Sequence, residues 1–537
     1  MSTMGTTASS AMSPPPAQVV FDPVPQPAPA APPPAPVFGP RLALGLFGIL
    51  LAAMIAGLNN RVPGLALADI QGALGFSRDQ AAWLNTVYSA GELAAMPFAS
   101  WFAITYSMRR FQMWMLSSAL FFSALLPWVH NYELMLLLRS VQGLCSGALI
   151  PILMMAALRF LPAPIRLHGL ALYALTATFS PNVALWLSSL FVDSVQDWRW
   201  IYWHTLPLGA VSLACMAYGV PKSPMLLGRF KQCNWLAILI GVLGLACLVV
   251  TLDQGLRLDW LNSPRIQASA FVGVSLTGLF LLMQWKDPAP FIRLQLLGKR
   301  NLGLGFSVFF VMLIVMSSAV VLPVNTLAQL HGLRLEQTAQ IGLMVGVPQL
   351  ILGSLVALLL YRKWIDARYL FALGLSCMAA ACWMGTKITS DWMLDEFLII
   401  TLLQSIGQPL AVVSMLFLGT SVVQPMEGPY VSGIINTLRA LGTVVGSAVV
   451  GQFLFERNQM HRQHLIDQAS HLAHAGQIPV SELSLVIHQQ ALVLATADIY
   501  RVFAVVAVLL IPLVLMLQYV PAPQVKVMPD AQATKSA

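Results

Sequence analysis

The stretch Leu137–Gly147, LLRSVQGLCSG, places an arginine inside a segment that is otherwise predominantly apolar. The surrounding residues 133–158, ELMLLLRSVQGLCSGALIPILMMAAL, are long enough to cross a bilayer, because about twenty apolar residues span its hydrocarbon core. An arginine at the centre of a lipid-facing helix costs about 2.5–3.5 kcal/mol. We therefore expect Arg139 to face the interior of a helix bundle, where polar partners offset that cost.

The composition of the whole chain is that of an integral membrane protein. Of its 537 residues, 58% are hydrophobic and only 9% are charged, against roughly 25% charged in soluble domains. The net charge of +8 is explained by basic residues in cytoplasmic loops, and does not indicate nucleic-acid binding. The six cysteines form no CxxC pair and no cluster with histidine, so they are interpreted as small core residues and no metal site is predicted.

A scan for apolar segments of membrane-spanning length gives fourteen candidates. An even number places both termini on one side, and the side with more arginine and lysine is predicted to be cytoplasmic. The predicted spans are 42–59, 81–105, 112–129, 134–158, 169–191, 201–220, 235–252, 267–285, 302–323, 338–361, 369–386, 396–417, 430–453 and 500–519.

Three segments outside the spans have a distinct character. Residues 1–40 contain twelve prolines and are predicted to form a disordered cytoplasmic tail, because proline disfavours both helix and sheet. Residues 454–499 show helical periodicity in two halves separated by GQIP, which predicts an external helical hairpin. Residues 520–537 are predicted to be a second cytoplasmic tail.

Three charged residues fall well inside predicted spans, and buried membrane charges are functional candidates. They are Glu92 in the second span, Arg139 in the fourth and Arg439 in the thirteenth. A carboxylate that is both desolvated and close to a guanidinium can bind and release a proton, which is what an antiporter requires. The alternative is that Glu92 and Arg139 form a fixed ion pair or bond to neighbouring polar groups.

The residues after Arg139 explain how its helix tolerates the charge. Gln142 lies one turn away, and Gly143 and Gly147 form a GxxxG pair. Such a pair lets two helices approach closely in lipid. The guanidinium can then donate to carbonyls or to a carboxylate of the neighbouring helix.

This stretch resembles the RxxQGxxxG motif in the fourth helix of the major facilitator superfamily. Further pieces, among them LALADIQGALGFS at 65–77, DWRWIYWHTLPLG at 197–209 and INTLRALGTVVGS at 435–447, resemble the 14-span drug:proton antiporter branch of that family. The likeness covers nearly everything after residue 40. Asn59 replaces the acidic residue of the first span, and Pro181 survives from the antiporter motif of the fifth span without its closing glycines.

The resemblance implies an all-α polytopic membrane protein with the major facilitator fold, built from two six-helix bundles and two inserted helices. The bundles would occupy 41–220 and 302–519, with the external hairpin in the second, and a linker at 221–301 would carry the extra pair. It implies a proton-coupling role for Arg139. Because the first-span acid is missing, Glu92 is its nearest replacement.

A route for an amphipathic substrate should be lined by groups that are apolar but not wholly so. Aromatic, methionine and amide side chains within the spans meet that description, although each of them is also common in membrane-helix cores. The route candidates are Tyr88, Asn182, Trp186, Met316, Gln404 and Gln408.

Together these features predict a secondary active transporter of the bacterial inner membrane that exports hydrophobic or amphipathic compounds by proton antiport. The alternatives are a dedicated exporter or importer of one metabolite, such as a lipophilic acid, and a non-transporting scaffold or sensor. An enzyme is not expected, because the sequence has no GxSxG or HExxH motif. No cofactor is expected beyond the proton gradient, since there is no Walker motif. The resemblance also implies a periplasmic adaptor and an outer-membrane channel as partners.

Overall fold

The computed structural model describes residues 38–424, 426–474 and 479–523. The described part of the chain is built from helices, in keeping with the requirement that backbone polar groups be satisfied within each segment in lipid. Eighteen α-helices occur in these residues: α1 Pro40–Leu65, α2 Leu67–Leu74, α3 Arg78–Tyr106, α4 Met108–Leu125, α5 Tyr132–Gly147, α6 Leu149–Phe160, α7 Ala163–Ser189, α8 Trp200–Trp203, α9 Thr205–Gly219, α10 Trp235–Gln254, α11 Pro264–Lys286, α12 Arg300–Val315, α13 Val321–His331, α14 Leu335–Leu360, α15 Ala367–Gly385, α16 Leu398–Thr420, α17 Gly428–His474 and α18 Val480–Leu515.

Twelve helical segments among the described residues are long and apolar enough to cross a membrane, so the chain is a multi-pass membrane protein. The second and sixth predicted spans are helical but are not among the twelve. α3 has 29 residues but contains Glu92 and many small or polar side chains, and α9 has only 15 residues. The count of fourteen spans is therefore not fully confirmed.

Two predicted spans are interrupted near prolines. The fourth breaks between α5 and α6 at Ala148, three residues before Pro151. The ninth becomes α12, a 3-10 turn at Met316–Ser318, and α13 with Pro323. Proline has no N–H and its ring clashes with the carbonyl one turn earlier, which accounts for both breaks.

Helices of the two bundles meet in several pairs, among them α7 with α14, α3 with α17, α6 with α17 and α7 with α16. A Cβ added at Gly433 of α17 would lie 3.3 Å from a backbone carbonyl of α3. Nearby, Tyr173 Oη donates a 2.7 Å hydrogen bond to Asn436 Oδ1. We call this the inner end of the molecule, where α3 ends at Tyr106 and α17 begins at Gly428, and the opposite end is the outer end.

The last two spans continue well beyond the predicted limits. α17 has 47 residues and α18 has 36, so residues 454–474 and 480–499 lie on the outer extensions of these helices. Most of the GQIP turn lies outside the described residues, as do residues 1–37 of the predicted first tail and 524–537 of the second.

Candidate functional site

Two adjoining cavities lie between the bundles, with volumes of about 70 Å³ and 340 Å³. They share Asn60 and Arg61 from α1, Ser89 from α3 and Pro181 from α7. The smaller cavity reaches inward to Glu92, while the larger one extends toward the outer end. Helices of both bundles therefore line the two cavities, which lie side by side.

Glu92 lies at the smaller cavity and has a neutral hydrogen-bond partner. Its side chain is 7% exposed, and its carboxylate accepts a hydrogen bond from Asn60 Nδ2. It interacts electrostatically with Arg439, Arg61 and Arg139. Among the described residues, no ion pair within 4.0 Å includes Glu92. A carboxylate in such a place is accessible from the cavity and can exchange a proton with it.

Arg439 links the bundles across the same cavity. It is 7% exposed, and Nη1 donates a 2.6 Å hydrogen bond to Thr176 Oγ1 of α7. Its guanidinium also lies 5.8 Å from the centroid of the Tyr173 ring. These contacts leave the charge facing Glu92 and hold α17 of one bundle against α7 of the other.

Arg61 is a third cavity residue, and the sequence analysis missed it. The first span was predicted to end at residue 59, which placed Arg61 in an external loop, whereas α1 continues to Leu65. Arg61 lines both cavities and interacts with Glu92 and Arg439. The signal available in the sequence was the apolar spacing of Leu58, Val62 and Leu65, which continues the helix through the polar LNNR segment.

Arg139 lies outside both cavities and is enclosed by protein. It is 1% exposed, and Nη1 donates to the Asn59 carbonyl at 3.3 Å and to Gln142 Oε1 at 2.7 Å. Its guanidinium lies 4.3 Å from the Tyr88 ring centroid and 5.6 Å from that of Tyr202. Cation–π and charge-assisted hydrogen bonds thus offset the cost of burial. Of the alternatives that the sequence left open, the ion pair between Glu92 and Arg139 is not formed, whereas both side chains bond to neighbouring polar groups.

The glycines of the RxxQGxxxG stretch set the spacing of α3 and α5. A Cβ added at Gly143 or Gly147 would collide with the carbonyl oxygens of Tyr88 and Glu92, respectively. From the other side, a Cβ at Gly91 of α3 would lie 2.5 Å from the Ser140 carbonyl oxygen of α5. The two backbones are therefore in direct contact beside Glu92. Gln142 extends the network by donating to a serine hydroxyl of α4 at 2.7 Å.

Four of the predicted substrate-route and motif residues line the larger cavity, namely Pro181, Asn182, Met316 and Gln408. Tyr88, Trp186 and Gln404 line neither cavity, which departs from the prediction.

The three departures have simple structural reasons. Tyr88 is buried beneath Arg139 and donates to the Ala56 carbonyl at 3.2 Å. Trp186 points away from the interior and is 39% exposed. Gln404 is buried within its bundle and donates to Ser318 Oγ at 2.9 Å.

The larger cavity also contains a carboxylate that was not predicted. Asp253, near the end of α10 in the inserted pair, lines it together with Asn85 of α3. Residue 253 had been placed just beyond the seventh span, where a carboxylate reads as a solvated loop residue. Within residues 38–424, 426–474 and 479–523, no group of three or more histidine, cysteine, aspartate or glutamate side chains is arranged to hold a metal ion.

Comparison with known proteins places these features in a family. The model of the "Major Facilitator Superfamily" matches residues 49–447. The "Probable multidrug resistance protein EmrY" of Escherichia coli is 26% identical over 510 residues, covering 90% of this chain and 96% of that protein. The "Multidrug export protein EmrB" of the same organism is 22% identical over 459 residues, covering 83% and 87%.

The fold is also that of a solved transporter. The crystal structure of the human organic anion transporter MFSD10 (TETRAN) superimposes with a TM-score of 0.53 at 13% identity, covering 88% of this chain and 100% of that one. The helical architecture of the described residues and the extent of the family match confirm the major facilitator fold predicted from the sequence, apart from the count of fourteen spans. The chain belongs to the Major Facilitator Superfamily.

Proposed function

We propose that this protein is a multidrug-type efflux transporter that exports hydrophobic or amphipathic compounds in exchange for protons. The observation that carries the proposal is the position of Glu92: a buried carboxylate at a cavity between the bundles, held by an amide and facing two guanidiniums. Two relatives that match most of this chain are named as a multidrug resistance and a multidrug export protein, which supports the same class.

The driving force follows from the charge carried by each proton. One elementary charge moving through 100 mV supplies about 2.3 kcal/mol, which sustains roughly a fifty-fold concentration ratio of a neutral cargo exchanged for one proton. Exchange of a monovalent cation for one proton moves no net charge and is driven by the pH difference alone. The protein would act in the bacterial inner membrane with both termini in the cytoplasm. A periplasmic adaptor and an outer-membrane channel would then complete the export path.

The charges around Glu92 determine which cargo can be exchanged for a proton. With Glu92 ionised, its group with Arg61 and Arg439 carries a net charge of +1, and with Glu92 protonated it carries +2. A cationic cargo is repelled more strongly by the protonated site, so cation and proton compete, as antiport requires. A neutral cargo competes with the proton only if it hydrogen-bonds to the ionised carboxylate.

The two cavity guanidiniums favour a second candidate function, transport of a lipophilic acid. Arg61 and Arg439 both line the smaller cavity and can bind a carboxylate. An anion binds best when Glu92 is protonated, so anion and proton would move together in the same direction. This function therefore predicts symport, and the direction of proton flux separates it from multidrug antiport.

The test uses proteoliposomes that contain a pH-sensitive dye and an imposed proton gradient. Addition of a transported amphipathic compound should produce a proton flux opposite in direction to the cargo. Glu92→Gln should abolish that flux, because the amide cannot release a proton. The matched control is Glu133→Gln, which removes an exposed carboxylate from the first turn of α5 and should leave flux unchanged.

Three outcomes would overturn the proposal. Wild-type flux in the Glu92→Gln protein would remove Glu92 from coupling. Proton flux in the same direction as an anionic cargo would favour the symport of a lipophilic acid. Silence of the wild-type protein across a broad panel of compounds would favour a scaffold or sensor.

A further inference from the structure

The inserted helix α10 forms part of the transport core. Leu245 and Val249 of α10 are buried in one apolar cluster with Ala90 and Leu93 of α3, and Val444 of α17 packs against it. These are the two helices, one from each bundle, that flank the cavity toward the outer end. α10 therefore covers the gap between them, and its C-terminal end reaches the cavity wall.

A polar network fixes that end of α10 to the start of α3. The Thr86 hydroxyl donates to Asp253, and Gln254 Nε2 donates to the same hydroxyl. Arg257 Nε in turn donates to Gln254 Oε1 at 2.6 Å, and Arg257 Nη1 forms a 2.5 Å ion pair with Asp79. Each donor in this chain has an acceptor, so the carboxylate of Asp253 is held in one position relative to α3.

Asp253 presents a negative charge that the rest of the protein does not neutralise by direct contact. Among the described residues, no ion pair within 4.0 Å includes it. Arg257 interacts electrostatically with it, but the Arg257 guanidinium is bound to Asp79. Arg61 lines the same cavity as Asp253, but the two side chains form no ion pair within 4.0 Å.

We propose that Asp253 is the recognition residue for the cationic group of an amphipathic cargo in the outer part of the cavity, a role given to it by the inserted helix. Leu185, Val320 and Val324 line the same cavity and provide apolar surface for the body of such a molecule. An unpaired carboxylate beside apolar walls attracts a cation more strongly than it would in bulk water. The proposal deepens the proposed function and rests on it for the identity of the cargo.

The test compares two probe ions of nearly the same size and shape but opposite charge, tetraphenylphosphonium and tetraphenylborate. Binding of each is measured to the full-length protein in nanodiscs, after subtraction of binding to empty nanodiscs. Asp253→Asn keeps the oxygen that accepts from Thr86 and removes the charge. It should weaken tetraphenylphosphonium binding about tenfold, equivalent to ~1.4 kcal/mol, without weakening tetraphenylborate.

Two further variants separate charge from structure. Asp259→Asn removes a carboxylate from the loop after α10 that does not line the cavity, and asparagine tolerates its left-handed backbone with φ of 62°. This variant should bind both ions as the wild type does. Thr86→Val removes the hydrogen bond but keeps the Asp253 charge, so the preference for the cation should persist.

Equal weakening of both ions by Asp253→Asn, no change in either ion, or the same effect from Asp259→Asn would each overturn the proposal. So would a wild-type protein that binds neither ion. Because these measurements need no proton gradient, they are independent of the flux assay. If the protein binds the two ions charge-selectively but moves no protons, the recognition site stands and proton-coupled export is refuted. If the protein exchanges cargo for protons normally but Asp253→Asn changes the binding of both ions equally or not at all, export stands and the recognition site is refuted.

Discussion

Substitution of Gly91 by alanine tests the close contact of α3 and α5 on which the position of Glu92 depends. A Cβ at residue 91 would lie 2.5 Å from the Ser140 carbonyl oxygen and 3.0 Å from the Leu144 nitrogen, both of them backbone atoms. Carbon and carbonyl oxygen ordinarily approach no closer than about 3.3 Å, so the helices must separate by roughly 0.8 Å. Overpacking of this kind costs about 1–3 kcal/mol, partly offset by ~0.5–1 kcal/mol because alanine favours helix over glycine.

The matched control is Gly305→Ala in α12, where nothing lies within 4 Å of the added Cβ. Only the helix-propensity gain applies there, so its unfolding temperature should equal or exceed that of the wild type. The Gly91→Ala protein should unfold at a lower temperature, which the fluorescence of the fourteen tryptophans can follow in detergent. Equal unfolding temperatures for the two variants would refute the packing argument.

Two other predictions concern single charges. Arg139→Lys should lower the free energy of unfolding by ~1–2 kcal/mol, and with it the unfolding temperature. A lysine ammonium cannot both stack on the Tyr88 ring and donate in two directions as the guanidinium does. Unchanged stability would contradict the enclosed, structural role assigned to Arg139. Lys299 Nζ donates to Glu427 at 2.6 Å and holds the pKa of that carboxyl below its usual value, so the pair stabilises the protein above about pH 4.5 and ceases to do so as pH falls through the lowered pKa. Glu427→Gln should lower the free energy of unfolding by ~0.5–1 kcal/mol near neutral pH and should remove the loss of stability that the pair causes at acidic pH. An unaltered profile of unfolding temperature against pH would contradict this role of the pair.

Segments with strong apolar character were predictable from the sequence, and so was the close approach at Gly143 and Gly147. Both depend on properties local to the chain: the length of an apolar run, and the absence of a side chain at two positions one turn apart. The aromatic partners of Arg139 were not predictable. Its ring contacts come from Tyr88 and Tyr202, which lie on other helices and are far away in sequence.

The residues missed at the site share one physical reason. Arg61 and Asp253 both lie near helix ends, where a scan for apolar segments ends the predicted span before the first charged side chain. A helix continues past that point when its polar residues face a cavity instead of lipid, and only the packing of neighbouring helices shows where the cavity is. Sequence reasoning therefore found the cavity charges in the middle of spans, Glu92 and Arg439, and overlooked those near helix ends, Arg61 and Asp253.

The buried charges divide into two kinds, and this division bears on the proposed coupling of proton movement to transport. Arg139 is enclosed by protein on every side, so its surroundings change little when one bundle moves against the other. Glu92 and Arg439 lie on α3 and α17, which belong to different bundles and face each other across a cavity. Movement that opens the inner end must alter the distance between these two charges. At an effective dielectric constant near 20, lengthening such a separation from about 5 to 8 Å changes their attraction by ~1 kcal/mol. In the proposed antiport, the affinity of Glu92 for a proton would then differ between the inward-open and outward-open states, and that difference would couple proton movement to the motion of the bundles.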